Sequence, residues 1–251
     1  MIRVNAERLW TTLEMMAQIG GTPAGGVTRL ALSEEDRIAR NLLRDWALEA
    51  GLTCDVDSMG NMFIRRAGTN PALAPVMTGS HVDSQPLGGN YDGIYGVLAG
   101  LELLRTLNDN NVQTERDIVL VNWTNEEGAR FAPAMLASGV WAGQLSEDFA
   151  YARMDSKRVT VREALEAIGY RGEIPARAFP VHACYELHIE QGPILEDESI
   201  DIGLVRAAMG QRWFTLALEG FAAHAGTTPM HSRRDALTAF AELALKVEEI
   251  G

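Results

Sequence analysis

Three features of this sequence predict an α/β fold, a mixed or mostly parallel sheet flanked by helices. Helix-patterned and strand-patterned segments alternate along the chain, the order that builds such sheets. Asp117-Ile118-Val119-Leu120-Val121-Asn122-Trp123 is a near-continuous apolar run, the mark of a strand covered on both faces. The apolar strand Pro75-Val76-Met77-Thr78 runs into Gly79-Ser80-His81-Val82-Asp83. A histidine and a carboxylate are thus delivered at a strand's carboxyl end, where open α/β sheets keep their chemistry.

The elements follow in order. Leu9, Leu13 and Met16 share one face of a helix over 5–19, and a Gly-, Pro- and Thr-rich loop follows from Gly20 to Leu32. Ser33 caps the next helix, with Glu34, Glu35 and Asp36 in its first turn, where acidic groups suit the helix dipole. Ile38, Leu42, Leu43 and Trp46 form its expected buried stripe, and Gly51 stops it. Strands are expected at 52–57, 61–66, 75–80 and 117–124, with a helix at 93–107 carrying Ile94, Val97, Leu98, Leu101 and Leu104 at helical spacing. Thr160 and Glu163 make a capping box for a helix ending near Ile168. Further strands are expected at 183–190 and 201–207.

Around residue 208 the pattern changes, which predicts a first domain over 1–207 and a second beginning at 208–251. In the second, a strand at Arg212–Glu219 precedes a His-containing turn and a helix over 233–250, with Leu237, Phe240, Ala244 and Val247 facing inward. A lone β–α unit cannot bury both of its apolar faces, so this domain is expected to be incomplete.

Lys and Arg number 22 against 34 Asp and Glu, a net charge of −12. Nucleic acid and anionic membranes demand a basic face, so neither is an expected partner. No apolar run approaches the ~20 residues that span a bilayer, and no charged-then-apolar leader opens the chain. Two cysteines, Cys54 and Cys184, make neither a disulfide framework nor a cysteine metal site. A cytoplasmic location is the expectation.

The chemistry concentrates in four segments. After His81 and Asp83, the turn Gly88-Gly89-Asn90-Tyr91-Asp92-Gly93 brings a second carboxylate back before a helix. Asp83 is placed to orient the His81 ring, as carboxylates do behind metal-bound imidazoles. Asn122-Trp123-Thr124-Asn125-Glu126-Glu127-Gly128 puts two adjacent carboxylates past a buried strand. Their side chains point in different directions, so one can hold an ion while the other takes a proton from water. Two solvated loop glutamates are the plainer alternative, about equal in weight. Glu186-Leu187-His188-Ile189-Glu190-Gln191-Gly192 is a third strand end, where a lone histidine is more often a satisfied core residue; His188 faces away from Leu187 and Ile189, a weak sign of a ligand. Phe221-Ala222-Ala223-His224-Ala225-Gly226-Thr227-Thr228-Pro229-Met230 places His224 in a turn of small residues that allow close approach, with a plain turn histidine an alternative of equal weight. His182 and His231 have no such context and read as surface residues. A His, Asp and Glu set without Cys suits Zn²⁺, Mn²⁺, Co²⁺ or Ni²⁺ alike.

Gly-Ser-His-Val-Asp-Ser, Gly-Gly-Asn-Tyr-Asp-Gly, Asn-Trp-Thr-Asn-Glu-Glu-Gly-Ala-Arg-Phe, His-Ile-Glu-Gln-Gly-Pro and His-Ala-Gly-Thr-Thr-Pro-Met occur in that order. Together they resemble the two-metal amidohydrolases of the M20 peptidase superfamily, in the branch of N-carbamoyl-L-amino acid hydrolases, β-ureidopropionases and allantoate amidohydrolases. The resemblance runs from Arg8 to the end. It implies a zinc-exopeptidase-like catalytic domain and the beginning of a smaller α+β, ferredoxin-like lid and dimerisation domain, hence a homodimer. It also implies that His81, Asp92 and His188 bind one of two divalent ions, and that Asp92 bridges to a second held by Glu127. Glu126 matches the general base, Asp83 the carboxylate behind His81, and Gln191 and His224 substrate-binding positions, His224 acting on the reacting carbonyl.

The implied reaction is hydrolysis of the carbamoyl C–N bond of an N-carbamoyl-L-amino acid to the amino acid, ammonia and carbon dioxide. Allantoate hydrolysis is the alternative within the branch, and a peptidase of the same superfamily is a weaker one. Members of the family run longer. They complete the lid and return with a Ser-Gly-Ala-Gly-His-type segment whose histidine closes the second ion site. This sequence carries neither part, so a fragment, or a truncated non-catalytic remnant, is a further expectation.

Overall fold

A computed structural model describes residues 2–208, 210 and 214–250. The elements are α1 (Ala6–Ala17), α2 (Glu34–Glu49), β1 (Thr53–Val56), β2 (Met62–Arg66), β3 (Val76–His81), α3 (Ile94–Asp109) and β4 (Ile118–Trp123). They continue as α4 (Leu136–Trp141), α5 (Glu147–Tyr151), α6 (Val161–Ile168), β5 (Ala183–Tyr185), α7 (Ile194–Asp197) and α8 (Ala236–Ile250). The strands form one mixed sheet in the order β1-β2-β4-β3-β5. β1–β2 and β2–β4 pair antiparallel, while β3 pairs parallel with both β4 and β5. The expected α/β class is therefore the observed one.

The helix signals work as the residues require. Ser33 accepts from the Asp36 amide at the start of α2, and Thr160 and Glu163 close both halves of the capping box on α6. One core lies where α1, α2 and α3 cover the sheet, with Leu13, Met16, Leu43, Ile64, Leu98, Leu101 and Leu120 buried in it. A second joins Phe131 and α4 to α6, and a third gathers Phe63, Met77, Val119 and Val121 beneath Trp123, Trp141 and Phe179. β4, with neighbours on both edges and a core on each face, has four consecutive buried residues, as its apolar run demands.

The parallel register of β3 and β4 sets Ser80 against Asn122 and His81 against Trp123. Their ends are level, so the loops that follow emerge side by side. Gly79, at φ +144°, permits this pairing: a Cβ there would stand 2.0 Å from the Val121 carbonyl oxygen.

Several expectations change. Ile38 is exposed rather than part of the α2 stripe. The strand expected at 183–190 is only Ala183–Tyr185, because β5 is an edge strand that pairs over just three residues of β3. No strand forms over 201–207 or 214–219, since among the described residues no neighbouring strand is there to pair with them. Arg212 and Trp213, the start of the second of these, lie outside the described residues. Helix α8 forms, but none of its residues is buried, so Leu237, Phe240 and Val247 are not inward-facing. By contact the chain divides into two compact units, Met1–Pro193 and Ile194–Gly251.

Candidate metal centre and active site

The level ends of β3 and β4, and the turn before α3, bring the first three motifs together. His81 Nδ1 lies 2.8 Å from the main-chain carbonyl oxygen of Asp83. Donation to that carbonyl leaves the Nε2 lone pair free for a metal ion. The partner is the backbone of Asp83; its carboxylate oxygen is farther, at 3.8 Å. That carboxylate instead accepts from the amides of Glu126 and Glu127, at 3.1 and 3.2 Å. Asp83 therefore sets the His81 ring with its main chain and the Glu126–Glu127 turn with its side chain.

Further contacts fix the backbone on which these groups ride. Asn122 Oδ1 accepts from the Val82 amide, and the buried Arg29 guanidinium donates to the Val82 carbonyl at 2.6 Å. Asn125 adopts a left-handed conformation, φ +54°, and its amide donates to the Phe131 carbonyl, turning the chain where Glu126 begins. Gly93 admits the His81 ring. Its φ is +66°, and a Cβ would stand 2.2 Å from His81 Nε2.

His188 repeats the pattern of His81. Its Nδ1 lies 2.8 Å from the Ile189 carbonyl oxygen, and its Nε2 is 3.2 Å from Asp92 Oδ1. His81, Asp92 and His188 offer one ligand atom each, all within 4.8 Å of one another. Among the described residues this is the one such group of three or more His, Cys, Asp or Glu. Glu126 Oε2 stands 3.5 Å from His81 Nε2, at the rim of the same space. Glu127 is outside the cluster: Gln85 Nε2 donates to its Oε2 at 2.8 Å, while its Oε1 is buried without a hydrogen-bond partner. Gln191 Nε2 donates to Asp92 Oδ2 at 2.7 Å.

The electrostatics suit a cation. Burial lifts the Glu126 carboxyl above its ordinary value against the pull of His81, and Glu127, Glu186 and Asp92 lift it further. Burial likewise pushes Asp83 up to about 6, opposed by His81 and the two amide donors. Burial pushes His81 down, but Asp83 and Glu126 outweigh it and the imidazole is raised. Two imidazoles and a carboxylate, each offering a ligand atom within 4.8 Å of the others, are a donor set that fits a divalent ion. Such an ion would reverse the upward shifts of the carboxyls.

His224 belongs to the unit Ile194–Gly251. Its Nδ1 accepts from the amides of Gly226 and Thr227, at 3.0 and 3.3 Å, which assigns the proton to Nε2 and makes that atom a donor. Sequence reading missed Gln85, Arg29 and Glu186, whose carboxylate accepts from the Ser80 hydroxyl at 2.5 Å. Their partners are distant in sequence or set by loop geometry, so no local pattern singled them out. His182 and His231 are exposed.

Residues 77–250 match the model of peptidase family M20/M25/M40. The chain belongs to this family. Within it, the M20 chain is 49% identical over 248 residues to the N-carbamoyl-L-amino-acid amidohydrolase of Rhizobium meliloti, covering 99% of this chain and 60% of that protein. It is 35% identical over 257 residues to the ureidoglycolate hydrolase of Arabidopsis thaliana, covering 99% and 54%. The crystal structure of a hydantoinase/carbamoylase family amidase from Burkholderia multivorans superposes with a TM-score of 0.85 at 49% identity, over 100% of this chain and 61% of that one. The M20 chain thus spans about 60% of the length of such relatives. No helix among its described residues is long and apolar enough to cross a membrane.

Proposed function

We propose that this M20 protein is a metal-dependent amidohydrolase that cleaves the carbamoyl C–N bond of N-carbamoyl-L-amino acids, giving the amino acid, ammonia and carbon dioxide. The observation that carries the reading is the His81–Asp92–His188 cluster with the Glu126 carboxylate beside it. Identity that runs higher to a carbamoyl-amino-acid amidohydrolase than to a ureidoglycolate hydrolase supports a carbamoyl amino acid over ureidoglycolate as the substrate.

His81, Asp92 and His188 would hold one ion through Nε2, Oδ1 and Nε2, and Asp92 with Glu127 would hold a second. Bound divalent ions would supply Lewis-acid polarisation of the ureido carbonyl and make water acidic enough to act near neutral pH. Glu126 takes the proton of the attacking water and returns it to the departing nitrogen, a role its upward-shifted carboxyl suits. Asp83 holds Glu126 in place through its amide. His224, with its proton on Nε2, donates to the oxyanion, and Gln191 to the substrate. The ion is Zn²⁺ or Mn²⁺, with Co²⁺ and Ni²⁺ chemically admissible. A second, lid and dimerisation domain, a homodimer and a cytoplasmic location go with this reading. The two free cysteines suit a reducing compartment.

The test is ammonia release from N-carbamoyl-L-methionine and from allantoate by the metal-loaded protein, with and without chelator. Chelator-sensitive turnover of the carbamoyl amino acid is expected. Preference for allantoate, or turnover that survives complete metal removal, would overturn the reading.

A further inference from the structure

Strand β5 stops short of the histidine that follows it. Its pairing with β3 ends at Thr78–Tyr185, three residues before His188, whereas His81 still lies within β3. Beyond that point a side-chain bond joins the two segments. The Ser80 hydroxyl donates to Glu186 Oε1 at 2.5 Å, a charge-assisted contact. Ser80 is buried and directly precedes His81, and Glu186 stands two residues before His188. The same stretch runs close against α3: a Cβ on Gly96 would stand 2.4 Å from the Leu187 carbonyl oxygen and 3.0 Å from Ser80 Cβ. The His81 and His188 rings lie 6.4 Å apart, centre to centre.

We propose that Ser80 and Glu186 are a positioning pair that fastens the His188 segment to the end of β3 and so sets the spacing of the two imidazoles before any ion arrives. Neither residue belongs to the His81–Asp92–His188 group, so the pair acts through the histidines. An ion that meets preset ligands has less chain to order as it binds. Breaking the bond therefore weakens the site without removing a ligand. This inference rests on the assignment of His81, Asp92 and His188 to an ion. A carboxylate near a cation site can also act by its charge alone, and the two roles separate by variant. Glu186→Gln keeps an acceptor oxygen but loses the charge, while Ser80→Ala keeps the charge but loses the donor.

The experiment titrates the metal-free protein with Zn²⁺ against a competing chromophoric chelator, each variant first shown to be folded by circular dichroism. Ser80→Ala and Glu186→Ala are each expected to weaken the tightest Zn²⁺ site about tenfold, the worth of one charge-assisted hydrogen bond. The double variant should be no weaker than either single one, because both remove the same bond. Glu186→Gln should keep most of the affinity. His188→Ala should weaken the site far more than any of these. Unchanged affinity in Ser80→Ala, with Glu186→Gln as weak as Glu186→Ala, overturns the pair and leaves a charge effect. Losses that simply multiply in the double variant overturn it as well. If His188→Ala leaves tight Zn²⁺ binding intact, the ion assignment itself fails and the positioning pair fails with it. Ser80→Ala and Glu186→Ala carry the same expectation, so either one decides if the other does not fold.

Discussion

The three histidines given roles in the proposed reaction differ in which ring nitrogen the backbone holds. His81 and His188 each present Nδ1 to a main-chain carbonyl and keep Nε2 for an ion, whereas His224 accepts two amides at Nδ1 and offers an Nε2 proton. The first arrangement makes a ligand and the second makes a donor. His224→Ala should therefore lower kcat by roughly 10²–10³-fold with little change in KM, as loss of an oxyanion donor does. Steady-state kinetics with metal analysis check it, and metal content should not move. The adjacent glutamates should also fail differently. Glu126→Gln keeps the shape and the ions but removes the base, so turnover should drop on the order of 10²–10⁴-fold. Glu127→Gln should release one ion per chain by elemental analysis. The residue types and their order were legible in the sequence, because strand ends and Gly turns announce them. The division of Asp83 between main chain and side chain was not, since it depends on how two loops meet.

At the scale of elements, the site depends on the β3–β4 register and on the close start of α3. Gly93→Ala would thrust a methyl into the His81 ring at a residue with positive φ. Beyond a strain cost of about 1–3 kcal/mol, it should displace the His81 ring and weaken first-ion binding. Calorimetry and thermal melting of the variant check both effects. Away from the site, Arg8 on α1 grips Glu102 on α3, joined by the Asn5 amide and the Thr106 hydroxyl. Burial pushes the Glu102 carboxyl up, but the Arg8 hydrogen bonds and these donors outweigh it and hold it below its ordinary value. A lowered folded pKa contributes stability above the unfolded value and loses it as pH falls through the folded one. Arg8→Ala should thus cost about 1–3 kcal/mol at pH 7. The difference from the unaltered protein should shrink in urea melts below the ordinary carboxylate range. Strands β1 to β4 were legible to within a residue or two because β2, β3 and β4 are largely buried and β1 alternates. β5 was read too long because alternation continues past Tyr185, where pairing with β3 has already ended.

Across the whole molecule, the unit Met1–Pro193 carries three buried cores, while none of the described apolar residues of Ile194–Gly251 is buried, and Leu204, Val205, Phe221 and Leu237 are exposed. Burial is what makes sequence patterns predictive, so the first unit was readable and the strands expected in the second were not. Alternation over 212–219 promises a strand only if a neighbour exists to pair with it. The His81 and Glu126–Glu127 segments, by contrast, were readable because they follow the well-buried strands β3 and β4. The central claim is that these strand ends hold a divalent ion between His81, Asp92 and His188. A crystal structure of the Zn²⁺-loaded protein, with anomalous diffraction at the zinc edge, tests it most directly. The account predicts an anomalous peak about 2.0–2.2 Å from His81 Nε2, His188 Nε2 and Asp92 Oδ1, with Glu126 beside it but not coordinating. A peak ligated by other residues, or none at this cluster in a protein that retains zinc, would contradict it.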